Sequence, residues 1–214
     1  NGPAPVDGDP FAALDFSRYF QSEGQVARLA SITGPQTLDT QGWLPADAEL
    51  PYSVGFENSA GSGAYVNEIQ IVTEIDPELD ARSFEFGDIK VGDITIKVPD
   101  GKSSFETEID FVATRGFVLR VSAVLDLFQQ PARASWLIQA IDPLTGEVLE
   151  DTTRGLLGPN DARGSGAGFV NYTIKPADDV RTGERVNASA RVLMSGFAPE
   201  DTAVLSQMVD GAGP

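Results

Sequence analysis

From Leu50 onward the chain alternates apolar and polar residues with a period of two. Tyr52, Val54 and Phe56 are interleaved with Ser53, Gly55 and Glu57, and Ile69, Ile71, Thr73 and Ile75 with Gln70, Val72 and Glu74. Successive side chains of an extended strand point to opposite faces, so each run predicts a strand with one side against a core. The segment "SFEFGDIKVGDITIKVPDGKSSFETEIDF" carries Gly-Asp at Gly87 and Gly92 and Asp-Gly at Asp100, turn chemistry that predicts three short strands. In the third, Phe105, Thr107, Ile109 and Phe111 face one way and Glu106, Glu108 and Asp110 the other. "GFVLRVSAVLD", "RASWLIQAID", "GFVNYTIKP" and "ERVNASARVLM" follow, each bounded by Gly, Pro or Asp.

Together these runs predict about nine strands with no helix between them. Parallel strands need crossover helices, and the spacing leaves no room for them. The expected fold is all-β, an Ig-like antiparallel two-sheet β-sandwich with an irregular or short-helical N-terminal extension. Residues 1–42 read as that extension: "NGPAPVDGDP" has linker composition, and Phe11, Leu14, Phe16 and Tyr19 approach helical spacing before Gly24. The sandwich is expected over 43–202, and 203–214, where alternation fades, as a tail or linker.

Charge then narrows the partners. Fifteen Lys and Arg against 32 Asp and Glu give a net charge of −17, which repels nucleic acid and anionic membrane surfaces. No apolar run approaches the length of a membrane-spanning helix. The chain has no Cys and no His, which removes disulfides, thiolate or imidazole metal sites and a Ser-His-acid relay. Catalysis is left to carboxylates, Tyr, Lys, Ser or a hard metal. Absence of Cys suits an exported bacterial protein, and a first residue Asn1 reads as a processed or excised piece.

Four features carry candidate chemistry. The Gly-rich run from Gly155 to Gly168 lacks phosphate-loop spacing and leads into a strand instead of a helix, so it reads as a tightly turned structural loop. Loop oxygens at Glu57, Asn58, Asp76, Asp80, Asp142, Glu147, Asn160 and Asp161 are of the type that binds Ca²⁺ when several loops converge. The simpler reading is that such residues beside Pro or Gly form Asx turns. Glu106, Glu108 and Asp110 make an acidic row, and carboxyls about 5 to 9 Å apart hydrolyse glycosides when they flank the bond. A hydrolase also needs one acid in a desolvating pocket, and no aromatic shares that strand face, which favours a solvated face. Finally, Trp136 falls between Ala134 and Ile138 at period two and reads as core, whereas Trp43, with Tyr52 and Tyr65, is the candidate aromatic surface for a sugar.

The stretch "GWLPADAELPYSVGFENSAGSGAYVNEIQIVTEIDPELDARSFEFGDIKVGDITIKVP", followed by "TRGFVLRVSAVLD", "SWLIQAIDPLTGEVLED", "GLLGPND", "GAGFVNYTIKP" and "VNASARVLM", resembles an uncharacterised β-sandwich domain of very large secreted or cell-surface bacterial proteins. Those proteins also carry Ig-like modules and haemolysin-type calcium-binding repeats. The resemblance runs from Trp43 to Thr202 and brings no catalytic residues with it. The resemblance implies an exported sandwich module and says little about a ligand. Taken with the residue readings above, the expectation is an extracellular or cell-surface accessory module that spaces, presents or attaches, stabilised by Ca²⁺, with a polysaccharide or neighbouring domains of its parent protein as partners. The alternatives are a carbohydrate-binding module, a protein-docking module and a carboxylate-based glycoside hydrolase.

Overall fold

The computed structural model describes residues 29–35 and 43–210. In chain order the strands are β1 (Ala30–Thr33), β2 (Trp43–Pro45), β3 (Leu50–Glu57), β4 (Glu68–Glu74), β5 (Leu79–Val91), β6 (Ile94–Ile96) and β7 (Ser104–Asp110). A single helical turn, α1 (Val112–Arg115), separates these from β8 (Val118–Asp126), β9 (Arg133–Ile141), β10 (Ala167–Pro176) and β11 (Arg185–Ala188). The chain then forms β12 (Ala190–Met194), β13 (Glu200–Asp201) and β14 (Leu205–Asp210).

Two antiparallel sheets face each other in an Ig-like sandwich, ordered β1-β3-β10-β5-β6 and β13-β12-β4-β9-β8-β7. A third sheet, β11-β14-β2, contains a parallel pair, β14 with β2. Alternation places the core as expected: along β3 the even residues Leu50 to Phe56 are buried, and along β9 so are Ala134, Trp136, Ile138 and Ala140. Trp136 is fully buried and joins the sheets, meeting Phe86 edge-on with centroids 5.1 Å apart, while Phe84 stacks on Tyr172 at 4.9 Å. These aromatic surfaces and the more numerous aliphatic side chains around them, removed from water between the sheets, supply the favourable side of folding.

The register defines two poles. One holds the end of β3, the start of β10 and the end of β5, where Glu57 faces Ala167 and Gly168 faces Val91. The other holds the start of β3, the end of β10 and the start of β5, where Leu50 faces Ile174 and Pro176 faces Leu79.

Several expectations need correction. The described residues form fourteen strands, not about nine, because short pairings such as β2 and β13 leave no alternating run to read. Gly87 is not a turn. It lies inside β5, where Val170 pairs with Ile89 and Tyr172 with Phe86, so one extra β5 residue makes a bulge. A Cβ at Gly87 would sit 3.1 Å from that of Asn171, which accounts for glycine in a strand interior. Turns do occur at Gly92 and Gly101, both with positive φ. Strands also lie beyond the boundaries drawn at 43 and 202: β1 pairs with β3, and β14 buries Val209 between β11 and β2. The helix expected before Gly24 lies outside the described residues.

Candidate functional site

The loops of the first pole are organised by two buried asparagines. Asn58 continues the inward phase of Tyr52, Val54 and Phe56, and its Nδ2 donates to the carbonyls of Ala64 and Leu157 at 2.8 and 3.0 Å. Asn67 stands one inward step before Ile69. Its Nδ2 donates to the carbonyls of Leu149 and Asp151, both at 2.9 Å, and its Oδ1 accepts from the Leu156 amide at 3.1 Å. Buried loop backbone must find partners, and these two side chains supply them. Neither role was anticipated from the sequence, although both residues fall on the core-facing phase of a neighbouring strand.

The Gly-rich loop is closed by its own side chains. Asp161 Oδ1 accepts from the amides of Arg163 at 2.8 Å and Ser165 at 3.2 Å, and Asn160 Oδ1 accepts from Gly166 at 2.9 Å. The amides that would cradle a phosphate thus already face a carboxylate and an amide oxygen. The Ser165 and Arg163 amides hold the Asp161 carboxyl below the usual carboxylate range. Glycine is needed mainly for close approach. A Cβ at Gly166 would lie 2.3 Å from the Asn160 nitrogen, and one at Gly168 would lie 2.4 Å from the Lys90 carbonyl oxygen.

The other calcium candidates are spread over both poles. Asp142 Oδ1 accepts from Leu144 at 2.8 Å in a turn where Glu147 is exposed, and Glu57 ends β3 with its amide donating to Leu29. At the second pole Asp76 accepts from Glu78 at 3.0 Å and from Asn187 at 2.9 Å, and Asp80 accepts from Arg82 at 3.0 Å. Among the described residues no three acidic groups come together as a metal site. Asp76, Asp80, Asp142 and Asp161 each accept from a backbone amide of their own turn, while Asn58 and Asn160 meet at the first pole, where the Asn160 amide donates to the Asn58 carbonyl. Burial, then repulsion by Glu184, Asp76 and Asp179, raises the Glu78 carboxyl.

The acidic row of β7 is solvated, with Glu106, Glu108 and Asp110 exposed. Glu108 pairs with Arg120 at 2.7 Å across the β7–β8 register, and Asp110 accepts from the Val112 amide at 2.8 Å.

The three aromatic candidates do not form one platform. Tyr52 is 2% exposed and belongs to the core, because it shares the inward phase of Val54 and Phe56. Trp43, half-buried, opposes Met208 at the second pole, and Tyr65, half-buried, lies over Gly158 at the first. Near Tyr65, Arg115 binds Asp93 through two bonds of 2.9 and 2.7 Å and lies 5.3 Å over the Phe111 ring. That pairing lowers the Asp93 carboxyl.

No known family and no curated protein matches this sequence. Among solved structures, the collagen-binding domain of a Staphylococcus aureus adhesin aligns at 12% identity with a TM-score of 0.40, covering 86% of this chain and 99% of that one. The collagen-binding subdomain of the Enterococcus faecalis surface protein ACE aligns at 10% identity and 0.39, covering 88% and 100%. A C-terminal fragment of the major pilin of Streptococcus agalactiae aligns at 9% identity and 0.42, covering 84% and 55%. These similar structures are sandwich domains of bacterial surface proteins, and at this distance they carry no argument about a ligand. No helix among the described residues is long and apolar enough to cross a membrane.

Proposed function

We propose that this chain is a non-catalytic β-sandwich module of a larger exported bacterial protein, acting at the cell surface or outside the cell to space or present its neighbours. The observation that carries the reading is the path of the chain. Leu29 comes in at the first pole, its carbonyl accepting from the Glu57 amide at 2.8 Å. Asp210 leaves at the second, where Ala46 donates to its carbonyl and the Val209 amide donates to Glu184. Within the described residues, the length of the sandwich therefore separates Leu29 from Asp210.

The remaining geometry agrees with a passive role. Aromatic side chains fill the interior, the loop amides are turned on Asp161, Asn160 and Asp142, and the acidic row of β7 faces solvent. Binding to collagen, a polysaccharide or a neighbouring domain is an attachment role that this reading admits. The test uses the purified chain with a panel of neutral and sulfated polysaccharides, followed by reducing-end release. The reading expects no release. Release that disappears in both Glu106→Gln and Glu108→Gln would replace it with a carboxylate glycosidase.

A further inference from the structure

The outer edge of β7 differs from the other sheet edges. β7 is the last strand of the six-stranded sheet, and no strand among the described residues pairs with its far side. It is seven residues long, against two for β13, four each for β1 and β11 and three each for β2 and β6. A long unpaired edge presents a row of backbone donors and acceptors to any extended segment.

Two bonds fix which groups point outward. The Leu125 amide donates to the Ser103 carbonyl, and the Phe111 amide donates to the Phe117 carbonyl. Bonded pairs in an antiparallel ladder recur at every second residue, so Phe105, Thr107 and Ile109 spend their backbone groups on β8. The N–H and C=O groups of Ser104, Glu106, Glu108 and Asp110 therefore point away from the sheet. These same residues carry the exposed side chains, while Phe105 and Ile109 are only half-buried against the core.

Charge selects the occupant. If two copies paired through β7 in antiparallel fashion, any in-phase register would set these acids against acids or against Ser104, and like charges directly opposed are unfavourable. A net charge of −17 likewise repels acidic partners and attracts basic ones. The chain already contains the favoured pairing on the inner side, where Arg120 on β8 lies opposite Glu108. We infer that the β7 edge accepts an extended segment with Lys or Arg at alternate positions and aliphatic residues between. The basic residues meet Glu106, Glu108 and Asp110, and the aliphatic ones cover the open flanks of Phe105 and Ile109. This mode is addition of a strand to a sheet edge, and it does not depend on the spacer reading.

The test titrates a nine-residue peptide of alternating Lys and Val, with blocked termini, into the full chain. Binding is followed by fluorescence anisotropy and by hydrogen exchange of the β7 amides. The expected result is saturable binding that weakens about tenfold between low salt and 0.5 M salt, with new protection at Glu106 and Glu108. Glu106→Pro removes an outward N–H that β8 does not use, and should weaken binding at least about tenfold at unchanged fold. Glu106→Gln keeps that N–H and should lower the salt dependence with a smaller loss. If Glu106→Pro does not fold, the Gln variant and the exchange protection decide. Absence of binding, protection elsewhere than β7, equal binding of an alternating Glu and Val peptide, or β7-mediated dimers instead of peptide binding would each overturn the proposal.

Discussion

Tyr52 on β3 and Tyr172 on β10 lie directly opposite one another and stack with ring centroids 5.1 Å apart and planes inclined by 16°. Their hydroxyls differ. That of Tyr52 is buried without a partner among the described residues, whereas that of Tyr172 lies within reach of the Thr73 hydroxyl, which itself donates to the Ser189 carbonyl at 2.8 Å. Removing an unsatisfied buried hydroxyl is close to neutral or favourable, while removing a bonded one costs about 1 kcal/mol. Tyr52→Phe should therefore hold or raise the melting temperature, and Tyr172→Phe should lower it by about 2 to 4 °C. Calorimetry of the two variants checks the contrast, and equal losses would contradict it.

The same pair predicts the alkaline limit of stability. Burial raises both hydroxyls above the ordinary tyrosine value, with Asp76 adding to the effect on Tyr52 and Tyr52 to that on Tyr172. The unfolded tyrosines lose their protons near pH 10 while the folded ones retain them. The stabilisation is complete below about pH 10 and is lost as pH rises toward the folded values. Urea unfolding between pH 8 and 11.5 should show falling stability, with a shallower fall when both residues are Phe.

Asn67 is the side chain on which the 149–156 segment most depends. Asn67→Ala strands the Leu149 and Asp151 carbonyls and the Leu156 amide. A loss of about 3 kcal/mol, or roughly 6 to 12 °C in melting temperature, is expected. Limited proteolysis should find new cleavage in that segment first. Unchanged melting would mean that the clamp is not formed.

The Gly-rich loop offers an internal control. Gly164 has φ of +74° and open space where a Cβ would stand, so Gly164→Ala should cost about 1 kcal/mol from backbone conformation alone. Gly166→Ala drives a Cβ into the Asn160 backbone and should cost several times more, about 3 kcal/mol. Chemical denaturation of the two variants tests whether close approach dominates. The opposite order would reopen the loop as a ligand cradle.

Calcium should leave the described sandwich unaffected. With the candidate carboxylates dispersed over both poles, melting in chelator and in millimolar Ca²⁺ should agree within about 1 °C, since saturation at 100 times Kd would add about 2.7 kcal/mol. A reproducible rise with Ca²⁺ would show that a site exists which these residues do not reveal.

Period two made the sandwich legible. It placed Trp136, Val54 and the Ile69–Ile71 pair on the core face, because a strand with one wet side must alternate. It also put Tyr52 in the core, but the aromatic reading pulled that residue toward the surface. The phase was the stronger signal. Asn58, just after β3, and Asn67, just before β4, lie on the core-facing phase of those strands, where a polar residue has to serve loop backbone, and that clue was present in the sequence. The Gly87 bulge and β14 were not legible, since a bulge depends on the register of β10, and β14 depends on a parallel partner, β2, from the far end of the chain. The calcium expectation rested on residue type, which cannot reveal whether loops from different strands converge.

The central claim, a module traversed from pole to pole, is tested most directly by one distance. The chain has no native cysteine, so Ser31→Cys and Asp210→Cys can be spin-labelled and their separation read by pulsed electron paramagnetic resonance. Ser31 faces Gly55 near one end of β3, and Asp210 faces Pro45 beyond the other. At about 3.3 Å per strand residue the account predicts a single narrow distribution centred above about 20 Å. A distribution centred below about 15 Å would bring the two chain crossings to one end of the sandwich and contradict it.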